Sequence, residues 1–148
     1  MRHYECNSPE AAARIVAACL LSDGHVSVDE MDALDRHRIE QRLLLRPRQF
    51  LAVVQTLCED LTSATYLNWG DACRLDPVIV VQLAADVDDW QMRRDLIWLF
   101  KEAIHADRHI SEGEARFLRQ LRAPWEWPEP PDRAVPREVI RLVRSHRE

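Results

Sequence analysis

Apolar residues recur every three to four positions along most of the chain, which is the spacing of one face of an α-helix. The first such stretch opens at Ser8-Pro9, an N-cap residue followed by a first-turn proline. It stops at Asp23-Gly24, a pair that favours a turn. The pattern therefore predicts a helix that fills most of the interval between the two pairs.

A second helix begins at Ser27, because Ser27 and Glu30 have the spacing of a capping box. In such a box the serine accepts the N–H of the third helical residue, and the glutamate accepts the N–H of the serine. We expect this helix to continue through Leu43–Leu45. Pro47 is predicted to begin a third helix, "PRQFLAVVQTLCEDLT".

In the second half, Asp76-Pro77 is a cap followed by a first-turn proline. The run after it, "PVIVVQLAADV", favours a strand by β-propensity, but no strand partner lies nearby. We therefore interpret it as a buried helix. The segment "DDWQMRRDLIWLFKEAIHAD" is amphipathic and has Asp88 or Asp89 as its cap, and Ser111 with Glu114 forms a second capping box before the next helix.

The two capping boxes belong to a repeated nonapeptide. "SDGHVSVDE" begins at Ser22 and "ADRHISEGE" begins at Ala106, with a constant offset of 84 residues. The matched pairs are Asp23 and Asp107, His25 and His109, Ser27 and Ser111, and Glu30 and Glu114. We predict an all-α fold, a bundle of about six to eight helices with two pseudo-repeated helical hairpins. Residues 1–121 would form this domain, and 122–148 a Pro/Trp strap and a basic C-terminal helix packed on it.

Composition narrows the class of protein. The chain has 148 residues, only 3 of them glycine, and a formal net charge of −5, which argues against a general nucleic-acid binder. Four isolated cysteines contain no Cys-x-x-Cys pair, so a thiolate zinc site is not expected. The N-terminus lacks the apolar stretch of a signal peptide, and the longest apolar runs are too short to span a bilayer. We expect a cytoplasmic protein.

The acidic turns suggest cation binding. "DGHVSVDE" matches the second half of a calcium-binding loop, with Asp23, Gly24 and Glu30 at ligand or turn positions. The positions for the first two ligands hold Cys19 and Leu21, so an ordinary EF-hand is not expected. If the two copies face each other, four carboxylates converge, and they repel unless a cation or a proton neutralises them. Alternatively, the acidic residues only terminate and cap helices.

At these residues the chain resembles the TerB family, the tellurite-resistance protein fold. The resemblance covers roughly residues 9–121 and rests on the two turn motifs with the long stretch between them. It implies an all-helical domain of two related halves and a divalent-cation site at the acidic turns. The implied ligands are Asp23, Glu30, Asp107 and Glu114, and the cation would be Ca²⁺, Mg²⁺, Mn²⁺ or Zn²⁺. Arg108 departs from the glycine that this family pattern has at the second turn.

Two other metal patterns are present. Glu102 and His105 have the i, i+3 spacing of a helical di-iron site, but a second Glu-x-x-His is missing. His105 and His109 have a spacing that suits zinc, although the helix is expected to end between them at Asp107. We interpret both histidines as exposed surface residues. No phosphate-binding loop or nucleophile turn occurs, so an enzyme with a carboxylate metal site is the third hypothesis after the two below.

The C-terminal part offers candidate partner-binding residues. Trp125 and Trp127 lie between prolines, and packing on the helical body competes with exposure as a recognition patch. Arg137, Arg141 and Arg144 form a stripe that suits an acidic partner, an anionic lipid surface or the acidic body of the chain itself. We expect a non-enzymatic accessory module of a stress-response complex that binds a divalent cation. The alternative is a protein-interaction scaffold whose acidic turns are structural.

Overall fold

A computed structural model of the chain describes residues 1–22, 24, 26–65, 75–107 and 109–125, and in this part it contains helices and no strand. The all-α class is thereby confirmed. The described part has seven helices: α1 (Pro9–Leu20), α2 (Val28–Arg36), α3 (Ile39–Arg42), α4 (Gln49–Thr65), α5 (Pro77–Ala85), α6 (Trp90–Asp107) and α7 (Glu112–Trp125).

Helix α1 is the centre of the fold. The Ser8 hydroxyl caps it by accepting the N–H of Ala11 at 3.1 Å, and Pro9 occupies the first turn, as the sequence predicts. Every residue from Ala11 to Leu20 is buried, so this helix has no solvent-facing side. Helices α4, α5, α6 and α7 all contact it. Its many alanines allow these neighbours to approach closely.

The remaining helices pack in pairs around α1. Helix α2 lies against α6, and α5 lies against α7, so each capping-box helix has a long partner. Phe100 of α6 meets Phe117 of α7 edge-on, with ring centroids 6.4 Å apart. The largest fully buried aliphatic side chains come from six of the seven elements and their connections: Ile15, Val16, Leu34, Leu57, Leu61, Val80, Leu83, Val87, Leu96, Leu99 and Leu121.

The one charged residue on α1 that is buried, Arg14, organises the contacts at one end of the bundle. Its guanidinium pairs with the carboxylate of Asp86, donates to the carbonyl of Arg2 and stacks 4.7 Å from the centroid of the Tyr4 ring. Its Nε has no hydrogen-bond partner among the described residues. Asn7 adds to this junction, since its side-chain Oδ1 accepts the N–H of Asp88 at 2.9 Å. Residues 2–7 are thereby held against the α5–α6 turn.

Several helix boundaries match the sequence analysis. Asp76 caps α5 by accepting the N–H of Val78 at 2.8 Å, so the β-branched run is a helix as interpreted. Asp89, rather than Asp88, caps α6 by accepting the N–H of Met92 at 2.8 Å. Helix α7 runs to Trp125 and includes Pro124, so it ends four residues beyond Leu121, where the strap was expected to begin.

The prediction that the second helix continues through Leu43–Leu45 is wrong. Helix α2 ends at Arg36, and Arg38 has a left-handed backbone with φ of 52°. The physical reason is the burial pattern: Leu43 and Leu45 are both buried while Leu44 is 83% exposed. Residues two apart point to different sides of an α-helix, so a helix cannot bury both. The third helix also begins two residues later than predicted, at Gln49.

We expect Arg14→Met to lower the free energy of unfolding by about 3 kcal/mol, because it leaves the carboxylate of Asp86 without its cation. Urea unfolding at neutral pH measures this. Arg119→Met on the exposed side of α7 is the control, and it should change stability by less than about 0.5 kcal/mol. Equal effects of the two substitutions would contradict the structural role of Arg14.

Candidate functional site

The repeated turns form the same local structure twice. In the first, the Ser27 N–H donates to Glu30 Oε2 at 2.7 Å and the Glu30 N–H donates to Ser27 Oγ at 3.1 Å. In the second, the Ser111 N–H donates to Glu114 Oε2 at 2.8 Å and the Glu114 N–H donates to Ser111 Oγ at 3.1 Å. Both predicted capping boxes are therefore present, and their geometries agree within 0.1 Å.

Both glutamates are buried, which a capping box does not require. Glu30 is 5% exposed and Glu114 is 4% exposed, and they are the buried acids of the described residues. A charged carboxylate seldom enters a protein interior without a partner. The burial means that α2 and α7 both begin at the inside of the bundle.

The two glutamates meet. The side chain of Glu114 hydrogen-bonds the side chain of Glu30, although the residues are 84 positions apart. A carboxylate only accepts hydrogen bonds, so this contact requires a proton on one of the two groups. The structure therefore brings the third residues of both capping boxes into one site at the interface between the pseudo-repeats.

The environment of Glu114 favours its protonated form. Burial disfavours the charged carboxylate, and the hydrogen bond from and the charge of Glu30 act in the same direction. Hydrogen bonds from the N–H and hydroxyl of Ser111 oppose them. Together these effects raise the pKa of Glu114 to about 7. Near neutral pH the site therefore lies at the balance between one shared proton and two negative charges.

Of the four predicted cation ligands, two are described and converge, Glu30 and Glu114. The carboxylates of Asp23 and Asp107 lie outside the described residues. Gly24 is described, and its φ of 78° together with the N–H contact to Leu21 O at 3.0 Å shows the tight turn that Asp-Gly predicts. Among the described side chains, no group of three or more His, Cys, Asp or Glu is placed to hold a metal ion.

The other candidate ligands are separated. Glu102 pairs with His37 across the α2–α6 interface, with 3.2 Å between Oε2 and Nε2, and not with His105. His105 has its Nδ1 2.6 Å from the carbonyl oxygen of Lys101, in the preceding turn of its own helix. His109 is exposed, as is His105, which matches the surface interpretation of both.

Sequence reasoning missed the cluster around His37. The His37 ring meets Trp98 edge-on with centroids 5.2 Å apart, and the guanidinium of Arg42 stacks 4.3 Å from the Trp98 centroid. These residues come from the end of α2, from α3 and from α6. No short-range motif connects them, so only the packing of α2 on α6 reveals the cluster.

Trp125 packs on the helical body. Its Nε1–H donates to the carbonyl of Ala84 at 2.9 Å, and the guanidinium of Arg93 lies 5.4 Å from its ring centroid. The last described turn of α7 is thus fixed to the C-terminal end of α5. The other candidate partner-binding residues lie outside the described residues: Trp127, Arg137, Arg141 and Arg144.

Comparison with protein-family models, with curated proteins and with solved structures finds no match to this chain. The resemblance to the TerB family thus stays a prediction that rests on the two turn motifs. Within the described ranges, no helix combines the length and apolar character needed to cross a membrane.

We expect the stability of the protein to fall between about pH 4.5 and pH 7 through Glu114. Its pKa is raised in the folded state, so its contribution is complete below the ordinary value of 4.5 and is lost as the pH rises through about 7. The loss should be of the order of 2 kcal/mol, and Glu114→Gln should remove it. Urea unfolding at a series of pH values measures both proteins.

Glu112→Gln is the matched control for this experiment, because Glu112 is an exposed acid in the same helical turn. That variant should retain the pH dependence of the wild type. Parallel profiles for wild type and Glu114→Gln would contradict the raised pKa.

Proposed function

We propose that the chain is a non-enzymatic accessory module that binds a divalent cation at its paired acidic turns, as its resemblance to the TerB family implies. The observation that supports this proposal is the meeting of Glu30 and Glu114, two buried glutamates from matched positions of the repeat. A stress-response complex is the setting that the resemblance suggests.

The chemistry of the pair suits a hard cation. Each glutamate uses Oε2 to accept the N–H of its own capping serine, so the other oxygen stays available for a neighbour. Carboxylate oxygens are the ligands that Ca²⁺ and Mg²⁺ prefer. A cation between Glu30 and Glu114 would replace the shared proton and neutralise both charges. Binding should therefore release a proton from Glu114.

The helix ends explain why two glutamates alone would bind weakly. Each N-terminus acts as roughly half a positive charge, so α2 and α7 together offset about one of the two carboxylate charges. Asp23 and Asp107 would add two more negative charges from the adjoining turns. We propose that the full set of four acids makes the site, with Glu30 and Glu114 as its buried floor.

The second candidate is a protein-interaction scaffold in which the acidic turns are structural. Two observations favour it. A proton on Glu114 already neutralises the pair without a metal. Two apolar side chains next to the capping serines are also open to solvent, Val28 with 75% and Ile110 with 51% of its surface exposed. Such residues suit a contact with another protein.

We expect one of Ca²⁺, Mg²⁺, Mn²⁺ or Zn²⁺ to raise the thermal midpoint relative to EDTA. A cation that binds only the folded chain, present at about 100 times its dissociation constant, adds roughly 2.7 kcal/mol. The double variant Asp23→Asn/Asp107→Asn should lose the response. Differential scanning calorimetry of both proteins in each cation provides the measurement.

Asp29→Asn/Asp32→Asn is the control, since it removes two exposed acids of α2 outside the turns. It should respond to cations like the wild type. If no cation raises the midpoint, or the turn variant responds like the control, the cation site is wrong and the scaffold hypothesis takes its place.

A further inference from the structure

A second surface of the molecule is unused by the proposed cation site. The segment between the last residue of α2 and the start of α4, residues 36–48, is here called the basic connector. It holds five arginines and one glutamate, whereas the whole chain has a net charge of −5. The arginines are Arg36, Arg38, Arg42, Arg46 and Arg48, and all five are exposed.

The basic connector keeps its positive charge at the surface. Its one acid, Glu40, turns towards the bundle, where Oε1 accepts the N–H of Phe50 at 3.2 Å at the start of α4. In the part of the chain that the structure describes, none of the five arginines forms a salt bridge. Arg42 is also held in place, because its Nε donates to the carbonyl of His37 at 2.8 Å.

Leucines stand among these arginines. Leu43 and Leu45 are buried and anchor the basic connector, which forces Leu44 between them to point outward with 83% of its surface exposed. Leu44 has a left-handed backbone with φ of 60°, an uncommon state for a leucine. Leu51, in the first turn of α4, is 61% exposed. The surface thus presents separate apolar side chains surrounded by guanidinium groups.

We propose that the basic connector docks on an anionic lipid surface. Guanidinium groups bind phosphate oxygens through paired hydrogen bonds, and Arg38, Arg46 and Arg48 are free to do so. Leu44 then enters the boundary between headgroups and acyl chains, as apolar residues of interfacial segments do. An acidic protein would instead need a pocket of its own to cover a leucine that projects this far. A bilayer accepts such a side chain without a preformed cavity.

Charge also orients the molecule. The rest of the chain is more acidic than the whole, so an anionic surface repels it and attracts the basic connector. Each arginine near an anionic leaflet strengthens binding about fivefold, so three should contribute on the order of 100-fold. High salt should weaken the interaction, because the attraction falls off within a Debye length of roughly 10 Å.

Vesicle co-sedimentation of the full chain tests the proposal. The vesicles are phosphatidylcholine alone, or phosphatidylcholine with one quarter phosphatidylglycerol. We expect binding to the second kind, and a loss on the order of 100-fold for Arg38→Gln/Arg46→Gln/Arg48→Gln. The matched control Arg116→Gln/Arg119→Gln/Arg122→Gln removes three exposed arginines from α7 and should retain binding within a few-fold.

Leu44→Asn separates insertion from simple charge attraction. Asparagine accepts the left-handed backbone, so the fold is kept while the apolar contact is lost. This variant should bind less tightly than wild type at a salt concentration that screens charge. Circular dichroism confirms that each variant is folded before it is compared.

Three outcomes would overturn the proposal. The first is no binding to the anionic vesicles, and the second is an equal loss in both triple variants. The third is binding of a polyglutamate peptide that depends on the basic connector, without binding to vesicles, which would assign the surface to an acidic protein.

Discussion

The fold depends on one constraint, a helix that has no exposed side. Ten consecutive residues of α1 are buried, so four other helices must cover it. Burial of this alanine-rich core supplies the hydrophobic free energy, and it also determines what surrounds Arg14. A cation in that position needs an anion, which the α5–α6 turn provides through Asp86. The packing of the bundle end thus follows from a single charged residue in an otherwise apolar helix.

The same enclosure explains the acidic site. Helices α2 and α7 begin against the interior because their partners, α6 and α5, lie along α1. Their first turns still need acceptors for free N–H groups, and Glu30 and Glu114 provide them. Two acids that serve local capping are in this way forced into contact. Local hydrogen bonding and global packing therefore both contribute to the unusual protonation of Glu114.

Residues whose partners lie within a few positions could be predicted from the sequence. Ser8, Ser27, Asp76 and Ser111 each cap a helix because the capping bond reaches only two or three residues along the chain. The contact between Glu30 and Glu114 depended on tertiary packing, so the repeat could suggest it but not establish burial or pKa. The basic connector failed to be predicted because left-handed Arg38 and Leu44 carry no composition signal, unlike glycine.

The near-identity of the two capping boxes has a consequence for how the sequence can diverge. Each glutamate holds its own helix start and also sets the charge state of the other, so positions 30 and 114 do not contribute independently. A change from acid to amide at one position alters the proton affinity at the other. The two halves of the chain can drift apart in most of their surface, but at this point they are under shared selection and must change together.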